Sequence, residues 1–222
     1  MGFNLRVLTI APHPDDEILG CGGTIIRHIK NNDAVFLCYV TKCYTPLCTE
    51  EFLKKRSKEL EKVSQILGIK KYYTLDQPTV MLDTIPQKKL NNLIHSVVLD
   101  VKPDIVYIPF KGDLNKDHRI VFESSLVALR PKNLNVKRIL SYEVLSSTEW
   151  GQPIAYFNPS VYVDISDFID IKIQAFSIYE SELKPPPSPR SIEAITCLAK
   201  KRGFECGLEY AEAFHLVREV IR

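Results

Sequence analysis

The feature that most constrains the fold is an apolar run that ends in a cluster of charge. Residues 5–12 are almost continuously hydrophobic, with β-branched members, and they are followed at once by His13, Asp15, Asp16 and Glu17. Such a run is typical of a strand that is buried on both faces of a parallel sheet. A histidine and three acids at the end of a buried strand indicate half of a metal site, with a spare carboxylate for proton transfer.

Strand patterns alternate with helical patterns along the rest of the chain. Strands are predicted at residues 34–41, 71–75, 105–109, 138–144 and 161–165, and helices at 18–30, 50–67, 86–101, 116–129, 167–179 and 191–201, while 209–220 fits either. This alternation predicts an α/β fold, with a Rossmann-like, mostly parallel sheet flanked by helices in a single domain over residues 1–222. Because the strands of such a sheet end at one edge, a ligand site is expected there.

Composition fits an ordinary globular protein. The chain has 222 residues, of which 45% are hydrophobic and 25% charged, and its formal net charge of +2 gives no reason to expect a nucleic-acid partner. No apolar run reaches the roughly 18–20 residues that cross a bilayer, so no transmembrane segment is predicted. The N-terminal residues lack the pattern of a signal peptide, and a cytoplasmic location is therefore the default expectation.

Cysteines and glycines are interpreted as structural. No CxxC pair or secretion signal accompanies the cysteines, so they are expected to be reduced and mostly buried. They are Cys21, Cys38, Cys43, Cys48, Cys197 and Cys206. The glycines Gly20, Gly22 and Gly23 do not match the GxGxxG dinucleotide fingerprint, and they are predicted to allow close packing of a helix on the sheet.

A second polar segment supplies the third metal ligand that the first segment lacks. Residues 113–119 follow a predicted strand and open a helix. A hydrolytic zinc site needs three nitrogen or oxygen ligands and an open position for water, and His13, Asp16 and His118 provide that number. Asp15 is then free to act as the general base.

Other acids near these ligands have several possible roles. Asp117 is a candidate to orient His118 or another partner from outside the ligand set. Glu17 is interpreted mainly as support for the first turn of its helix, through the helix dipole. Asp113 is either the N-cap of the helix that begins near Lys116 or a residue of the site.

Together these motifs resemble the PIG-L/LmbE-like de-N-acetylase family. The resemblance is carried by Pro12-His13-Pro14-Asp15-Asp16-Glu17 and by the later Asp117-His118 pair. It extends to the Arg-x-x-Glu pattern that begins at Arg56, to Asp76, and to residues 211–214. It implies an LmbE-like fold and an enzyme that removes the acetyl group from an N-acetylated sugar or glycoside, releasing acetate and a free amine.

The same resemblance assigns roles to particular residues. It implies one Zn²⁺ per chain on His13, Asp16 and His118, although such a donor set accepts other divalent metals. It implies that Asp15 is the general base, that Arg56 contacts substrate and that Asp76 binds sugar hydroxyls. On a charged helix, however, Arg56 is as readily explained as part of a solvated face.

One position departs from the family pattern. The second family motif usually reads His-x-Asp-His, and Asn115 stands where its first histidine is expected. An asparagine amide donates a hydrogen bond but cannot transfer a proton at neutral pH. The acid role then falls to Asp15 after it has accepted a proton, or to another group, for which His215 is a candidate.

The chain from about residue 150 onward is expected to form the rim of the substrate site. Trp150 is a candidate to stack on a pyranose or, equally, a partly buried loop aromatic, and Arg190 is a further candidate for substrate binding. The expected partner is an N-acetylated sugar, and a homo-oligomer is possible. Two alternatives stay open: a metal-dependent amidase acting on another N-acyl group, and a non-catalytic sugar-binding homologue, which Asn115 motivates.

Overall fold

All strands that the structure describes join one seven-stranded sheet. The structure is a computed structural model, and it describes residues 4–131 and 134–221. The strands are β1 (Arg6–Ala11), β2 (Ala34–Lys42), β3 (Lys71–Pro78), β4 (Ile105–Pro109), β5 (Arg138–Tyr142), β6 (Val161–Asp164) and β7 (Ala211–Glu219). The helices are α1 (Asp16–Lys30), α2 (Glu50–Leu67), α3 (Gln87–Val101), α4 (Lys116–Ala128), α5 (Ile169–Ser177) and α6 (Ile192–Phe204), and single 3-10 turns lie at Leu82–Thr84 and Glu149–Gly151.

The strand order is β3-β2-β1-β4-β5-β7-β6. The first five strands of this order are parallel, whereas β7 runs antiparallel to both β5 and β6. The predicted Rossmann-like, mostly parallel sheet is therefore confirmed. Segment 209–220, for which the sequence allowed either a helix or a strand, contains strand β7. The direction of winding reverses between β1 and β4, and that reversal opens a crevice at the carboxyl ends of these two strands.

Helices cover both faces of the sheet. Alternate residues of β1 point to opposite faces, so Val7 joins a core with α1, α2, α5 and α6, while Leu8 joins a second core with α3 and α4. Both side chains are fully buried. The apolar run of β1 is thus explained by burial on two faces, as the sequence predicts.

Helix α1 is broken near its middle so that it can pack close to the sheet. Cys21 has non-helical angles, with φ −148° and ψ 23°. A Cβ at Gly20 would lie 2.2 Å from the ring of Tyr142, and one at Gly23 would lie 2.7 Å from Ile165. The prediction that these glycines allow close packing is confirmed.

A buried ion pair repairs this break. The carboxylate of Glu212 accepts hydrogen bonds from the backbone N–H groups of Gly23 and Thr24, at 2.9 and 2.7 Å. Lys172 donates to Glu212 at 2.6 Å and to the carbonyl of Leu19 at 3.0 Å. The pair therefore satisfies backbone groups that the break would leave without partners.

The expectation that every cysteine is reduced is wrong. Cys43 and Cys48 form a disulfide in the loop between β2 and α2. The loop turns back on itself, with the N–H of Cys48 donating to the carbonyl of Tyr44, and this turn brings the two Cα atoms to 6.0 Å. Sequence spacing carries no signal for such a turn. Cys21 and Cys38 are buried as expected, whereas Cys197 and Cys206 are exposed.

In the described part of the chain, no helix has the length and apolar character needed to span a membrane.

Candidate metal centre

The loop between β1 and α1 brings the first group of functional side chains to the sheet crevice. Asp15 caps α1 with φ 128°, a conformation that an L-residue rarely adopts. Its carbonyl accepts from the N–H groups of Ile18 and Leu19, and its own N–H donates to Glu17 at 3.0 Å. These contacts hold a strained backbone in place, and strain of this kind is typical of functional sites.

Three donor atoms converge where this loop meets the start of α4. Nδ1 of His13, Oδ2 of Asp16 and Nε2 of His118 lie 3.1, 3.2 and 3.3 Å from one another. Ligands that bind zinc tetrahedrally at about 2.0–2.1 Å are separated by about 3.3 Å. The spacing of these atoms, two nitrogens and one oxygen, therefore fits a zinc-sized cation.

Two further carboxylates support the histidines from outside this triangle. Oδ2 of Asp117 lies 3.1 Å from Nε2 of His13, and Oδ2 of Asp113 lies 3.2 Å from Nδ1 of His118. Carboxylates in these positions fix the ring orientation of metal-binding histidines. Asp117 thus faces His13 rather than His118, and Asp113 is placed at the site and not at the helix cap.

Each outer carboxylate is itself held in place. Asp117 accepts from the backbone N–H groups of Val80 and Leu82, at 2.7 and 3.3 Å. Oδ2 of Asp113 accepts from the hydroxyls of Ser147 and Thr148, at 2.8 and 2.7 Å. The triangle of donor atoms is therefore embedded in a rigid polar shell.

The electrostatics of the triangle favour positive charge. Burial lowers the pKa of His13, but Asp117 and Asp16 outweigh it and raise the pKa to about 9. Burial is likewise outweighed at His118, where Asp16 and Asp113 raise the pKa to about 10. Among the described residues, Oδ1 of the fully buried Asp16 has no hydrogen-bond partner. The surplus of carboxylates and this free oxygen both fit a bound cation.

Asp15 lies beside the triangle and is bound by an arginine. Nη1 of Arg190 is 2.7 Å from Asp15 and also 2.7 Å from Glu182. Burial raises the pKa of the Asp15 carboxyl to about 8, and the Arg190 guanidinium acts against that rise. Arg190, predicted to bind substrate, therefore holds the carboxylate that is predicted to be the base.

A cavity of about 520 Å³ opens in front of these groups. The predicted site residues that line it are His13, Asp15, Arg56, Asp76, Asn115 and Arg190. Asp16, Asp117 and His118 are buried behind the lining, each no more than 2% exposed. The structure thus brings nine of the predicted residues to one place.

More than half of the chain matches a known family. Residues 8–129 match the PIG-L family, described as GlcNAc-PI de-N-acetylase. The chain belongs to this family. The predicted enzyme class, an N-deacetylase that hydrolyses amide bonds, is confirmed with it.

Relatives of the PIG-L chain match 80% to 96% of its length. It is 27% identical to diacetylchitobiose deacetylase of Thermococcus kodakarensis, over 96% of this chain and 83% of that protein. It is 29% identical to a probable N-acetyl-α-D-glucosaminyl L-malate deacetylase of Bacillus anthracis, over 80% and 81% of the two chains. The solved N,N′-diacetylchitobiose deacetylase of Pyrococcus horikoshii superposes with a TM-score of 0.73 at 25% identity, covering 96% of this chain and 84% of that one.

Asn115 has two functions available to it in this PIG-L site. Its side-chain carbonyl caps α4 by accepting from the N–H of Asp117 at 3.0 Å. That contact assigns Oδ1 to the helix, so the Nδ2 amide is left as the donor for a ligand in the cavity. The carbonyl and the amide of Asn115 therefore stand where the family pattern has a histidine side chain.

Arg56 lines the cavity, but its guanidinium is already engaged. It donates to the hydroxyl of Ser181 at 2.8 Å and to the carboxylate of Glu182, and it lies over the ring of Tyr179. The alternative of a solvated helix face is wrong, because its side chain is only 12% exposed.

Trp150 and His215 do not line the cavity. Trp150 is 68% exposed in a 3-10 turn and is not part of the cavity lining. His215 lies on β7, pairs with Ser141 of β5 and has Nδ1 3.2 Å from the carbonyl of Asn158. His215 is not among the residues that line the cavity, and its role as a replacement for the missing histidine stays a prediction.

Sequence reasoning missed Glu182, which joins Arg56 and Arg190 in the cavity wall. Its position just before the proline-rich run 184–189 was the available signal, since such a run is extended and cannot form a helix. Glu17 is also more than helix support. Its carboxylate is fully buried and accepts from the hydroxyls of Tyr39 and Tyr179, at 3.0 and 2.6 Å.

Proposed function

We propose that this PIG-L protein is a zinc-dependent hydrolase that removes the acetyl group from an N-acetylated sugar or glycoside. The observation that carries the proposal is the triangle of His13, Asp16 and His118 donor atoms beside Asp15, at the base of a cavity that is large enough for a sugar. The named activities of the relatives, on diacetylchitobiose and on an N-acetylglucosaminyl malate, support this substrate class.

His13, Asp16 and His118 would hold the metal. When bound there, zinc supplies Lewis-acid polarisation of the acetamide carbonyl and lowers the pKa of a water. The three donors leave room for an open position, as hydrolytic sites require. Other divalent metals suit the same donors, so the identity of the metal is part of the proposal.

Asp15 would accept the proton of the attacking water. It lines the cavity, and its carboxylate is held by Arg190 at 2.7 Å. The Arg190 guanidinium favours the ionised form of this carboxylate, and a base that is fixed in this way can take a proton without first reorganising. Arg190 would act as a positioning residue, because its contacts are with Asp15, Glu182 and Ser146.

Asn115 would stabilise the oxyanion that forms when the acetamide carbon becomes tetrahedral. Its Nδ2 amide can donate a hydrogen bond to that oxygen but has no proton to give. The proton needed by the leaving amine then returns from Asp15, which has just accepted one. A single carboxyl group would thus act first as base and then as acid.

Release of acetate from a panel of N-acetylated sugars tests the proposal. The zinc-loaded protein is expected to release acetate, and Asp15→Asn is expected to lower kcat by about 10²–10⁴-fold with zinc retained. Asp76→Asn changes an exposed cavity carboxylate that is predicted to bind sugar hydroxyls, and it is expected to raise KM while keeping kcat near the wild-type level.

Two results would favour the alternative functions. Turnover of other amides without acetate from any sugar would favour an amidase for another N-acyl group. Tight binding of an N-acetyl sugar with no turnover, unchanged by Asp15→Asn, would favour a non-catalytic sugar-binding protein.

A further inference from the structure

Glu17 is a fully buried acid that neither the metal centre nor the proposed mechanism uses. It lies outside the triangle of donor atoms and does not line the cavity. Its Oε2 accepts a hydrogen bond from the backbone N–H of Asp15 at 3.0 Å, and its Oε1 accepts from the hydroxyls of Tyr39 and Tyr179, at 3.0 and 2.6 Å. Glu17 is therefore not in a position to touch a substrate in the cavity, whereas its partners Asp15 and Tyr39 are, since both line it.

The contact between Glu17 and the Asp15 N–H acts on a strained dihedral angle. The φ of Asp15 is 128°, a value that an L-residue rarely adopts. Because φ describes rotation about the N–Cα bond, it relates the direction of the N–H to that of the Cβ. An acceptor that fixes the Asp15 N–H thus helps to fix the direction in which the side chain leaves the backbone. Strained conformations of this kind persist only where surrounding contacts hold them.

The side chain of Asp15 does not cap its own helix. Asp15 is the N-cap residue of α1, and an N-cap aspartate usually accepts a hydrogen bond from a backbone N–H of the first helical turn. Here the Asp15 side chain makes no such bond, and its carboxylate accepts from Nη1 of Arg190 at 2.7 Å. The carboxylate is turned away from the helix and toward the cavity.

Two distant parts of the chain fix the far side of the Glu17 carboxyl. Tyr39 belongs to β2 and Tyr179 follows α5, and both side chains are buried. An acid that only capped the helix would need no such anchors, because capping acids reach back to the N-cap N–H from the helix surface. The anchors therefore tie the N–H of Asp15 to the sheet as well as to α1.

We infer that Glu17 is a positioning residue for Asp15. By holding the Asp15 N–H, it maintains the backbone conformation that directs the Asp15 carboxylate into the cavity instead of onto the N-terminus of α1. The inference rests on the proposed function, because it takes Asp15 to be the base. It requires that Glu17 contribute to the reaction only through Asp15.

Two substitutions separate the hydrogen bond from the rest of the side chain. Glu17→Met keeps an unbranched chain of similar length but removes both acceptor oxygens. Its kcat for acetate release is expected to fall by about 10²-fold, with KM and zinc content near the wild-type values. Glu17→Gln can turn its carbonyl to the Asp15 N–H and donate its amide to the tyrosine hydroxyls, so it is expected to keep most of the wild-type kcat. A loss in Glu17→Gln equal to that in Glu17→Met would overturn the inference.

A double-variant cycle tests whether the effect passes through Asp15. In an Asp15→Asn background, Glu17→Met is expected to cause no further loss of kcat, because the carboxylate that Glu17 positions is gone. The same loss in both backgrounds would mean that Glu17 acts on the metal ligands or on the fold, and the inference would be wrong.

The matched control is Lys172→Met/Glu212→Gln, which disturbs buried hydrogen bonds in the middle of the same helix. It is expected to keep kcat. A loss equal to that of Glu17→Met would mean that any disturbance of α1 lowers kcat, and would also overturn the inference.

A crystal structure of Glu17→Met gives a result that does not depend on activity. The φ of Asp15 is expected to become negative, and its carboxylate is expected to leave Arg190. An unchanged Asp15 would overturn the inference and leave the deacetylase intact. If no N-acetylated sugar yields acetate, the proposed function fails, and this structure alone decides the inference.

If Glu17→Met does not fold, Tyr179→Phe replaces it in these experiments. This variant removes the donor that lies 2.6 Å from Oε1 of Glu17 and keeps a ring that does not line the cavity. Its kcat is expected to fall by about fivefold, with no further fall in the Asp15→Asn background. An unchanged kcat, or an equal loss in the two backgrounds, would contradict the positioning role.

Discussion

Helix α1 carries two clusters of buried charge that differ in how completely they are satisfied. In its middle, both carboxylate oxygens of Glu212 accept backbone hydrogen bonds, and Lys172 supplies the opposite charge. At its start, Asp16 is equally buried, yet one of its oxygens has no hydrogen-bond partner among the described residues. Protein groups satisfy the charges of the first cluster, whereas the second leaves one carboxylate oxygen available to a cation.

The degree of hydrogen bonding distinguishes the structural Lys172–Glu212 pair from the cluster at Asp16, which lies at the start of the same helix. Buried charge is costly unless it is paired and hydrogen-bonded. The Lys172–Glu212 pair meets that condition with protein groups alone. At the candidate metal centre, one carboxylate oxygen of Asp16 lacks a partner among the described residues. This is expected where a bound ligand provides the missing interaction. An unpartnered buried oxygen indicates function only where other metal-binding donors lie beside it, as at Asp16, because Thr24 Oγ1 and Ser124 Oγ are also buried without a hydrogen-bond partner among the described residues.

Removing a ligand of the metal centre is expected to have the largest effect. His118→Ala is predicted to lower kcat by about 10⁴-fold, because it removes a metal ligand and with it the Lewis acid. The melting temperature of the wild type is expected to fall on chelation and recover with zinc, whereas that of His118→Ala should respond to neither. His95→Gln on α3 is the control: His95 does not line the cavity, an amide can keep its contact with the carbonyl of Ala128, and the variant should behave as the wild type. Full zinc occupancy in His118→Ala, measured by elemental analysis, would remove His118 from the ligand set.

Breaking the structural pair is expected to affect stability and not chemistry. Lys172→Met leaves Glu212 as a buried charge without its cation, and the free energy of unfolding should fall by about 3 kcal/mol in urea titrations. The double variant Lys172→Met/Glu212→Gln should recover part of that loss, because no charge remains buried. Zinc content and kcat per folded molecule should stay at the wild-type level. A large loss of kcat in the folded variant would mean that the break in α1 is coupled to the metal centre.

The smallest effect is expected at the last turn of α1, where His28 contacts Asp33 at 2.7 Å and the hydroxyl of Tyr107 at 2.9 Å. Burial lowers the pKa of His28 below its usual 6.5, although Asp33 opposes this. Since the unfolded chain then binds the proton more readily, stability is intact above pH 6.5 and is lost as the pH falls. Unfolding free energies between pH 7 and 5 should decline more steeply in the wild type than in His28→Gln. Parallel slopes for the two proteins would contradict the lowered pKa.

Local sequence patterns predicted the regular elements and the nearer contacts of the metal centre. Helix α2 and strand β4 have the predicted bounds, because apolar periodicity and the cap at Gly68 act over short distances. His13, Asp16 and His118 come together because β1 and β4 are neighbours whose carboxyl ends share one edge of the sheet. That adjacency follows from a general topological rule.

Contacts that depend on tertiary packing left no comparable signal. Arg190 reaches Asp15 across 175 residues, from an irregular segment whose path no periodicity predicts. The pairing of Cys43 with Cys48 depends on one turn of the loop between β2 and α2, and the pairing of His215 with Ser141 depends on the register of β7. For Trp150 the sequence allowed either stacking on a sugar or partial burial in a loop, and the side chain is 68% exposed.

The support of the first helix by the last strand has a consequence for the timing of folding. The loop between β1 and α1 is synthesised within the first twenty residues. Glu212, which accepts a hydrogen bond from the N–H of Gly23, follows 189 residues after that glycine. A ribosome making this chain therefore exposes a helix with an unrepaired break for most of the time of synthesis. Nascent fragments that end before β7 should be less stable than the full chain, and the fold around α1 is expected to be completed late, when β7 joins β5 and β6.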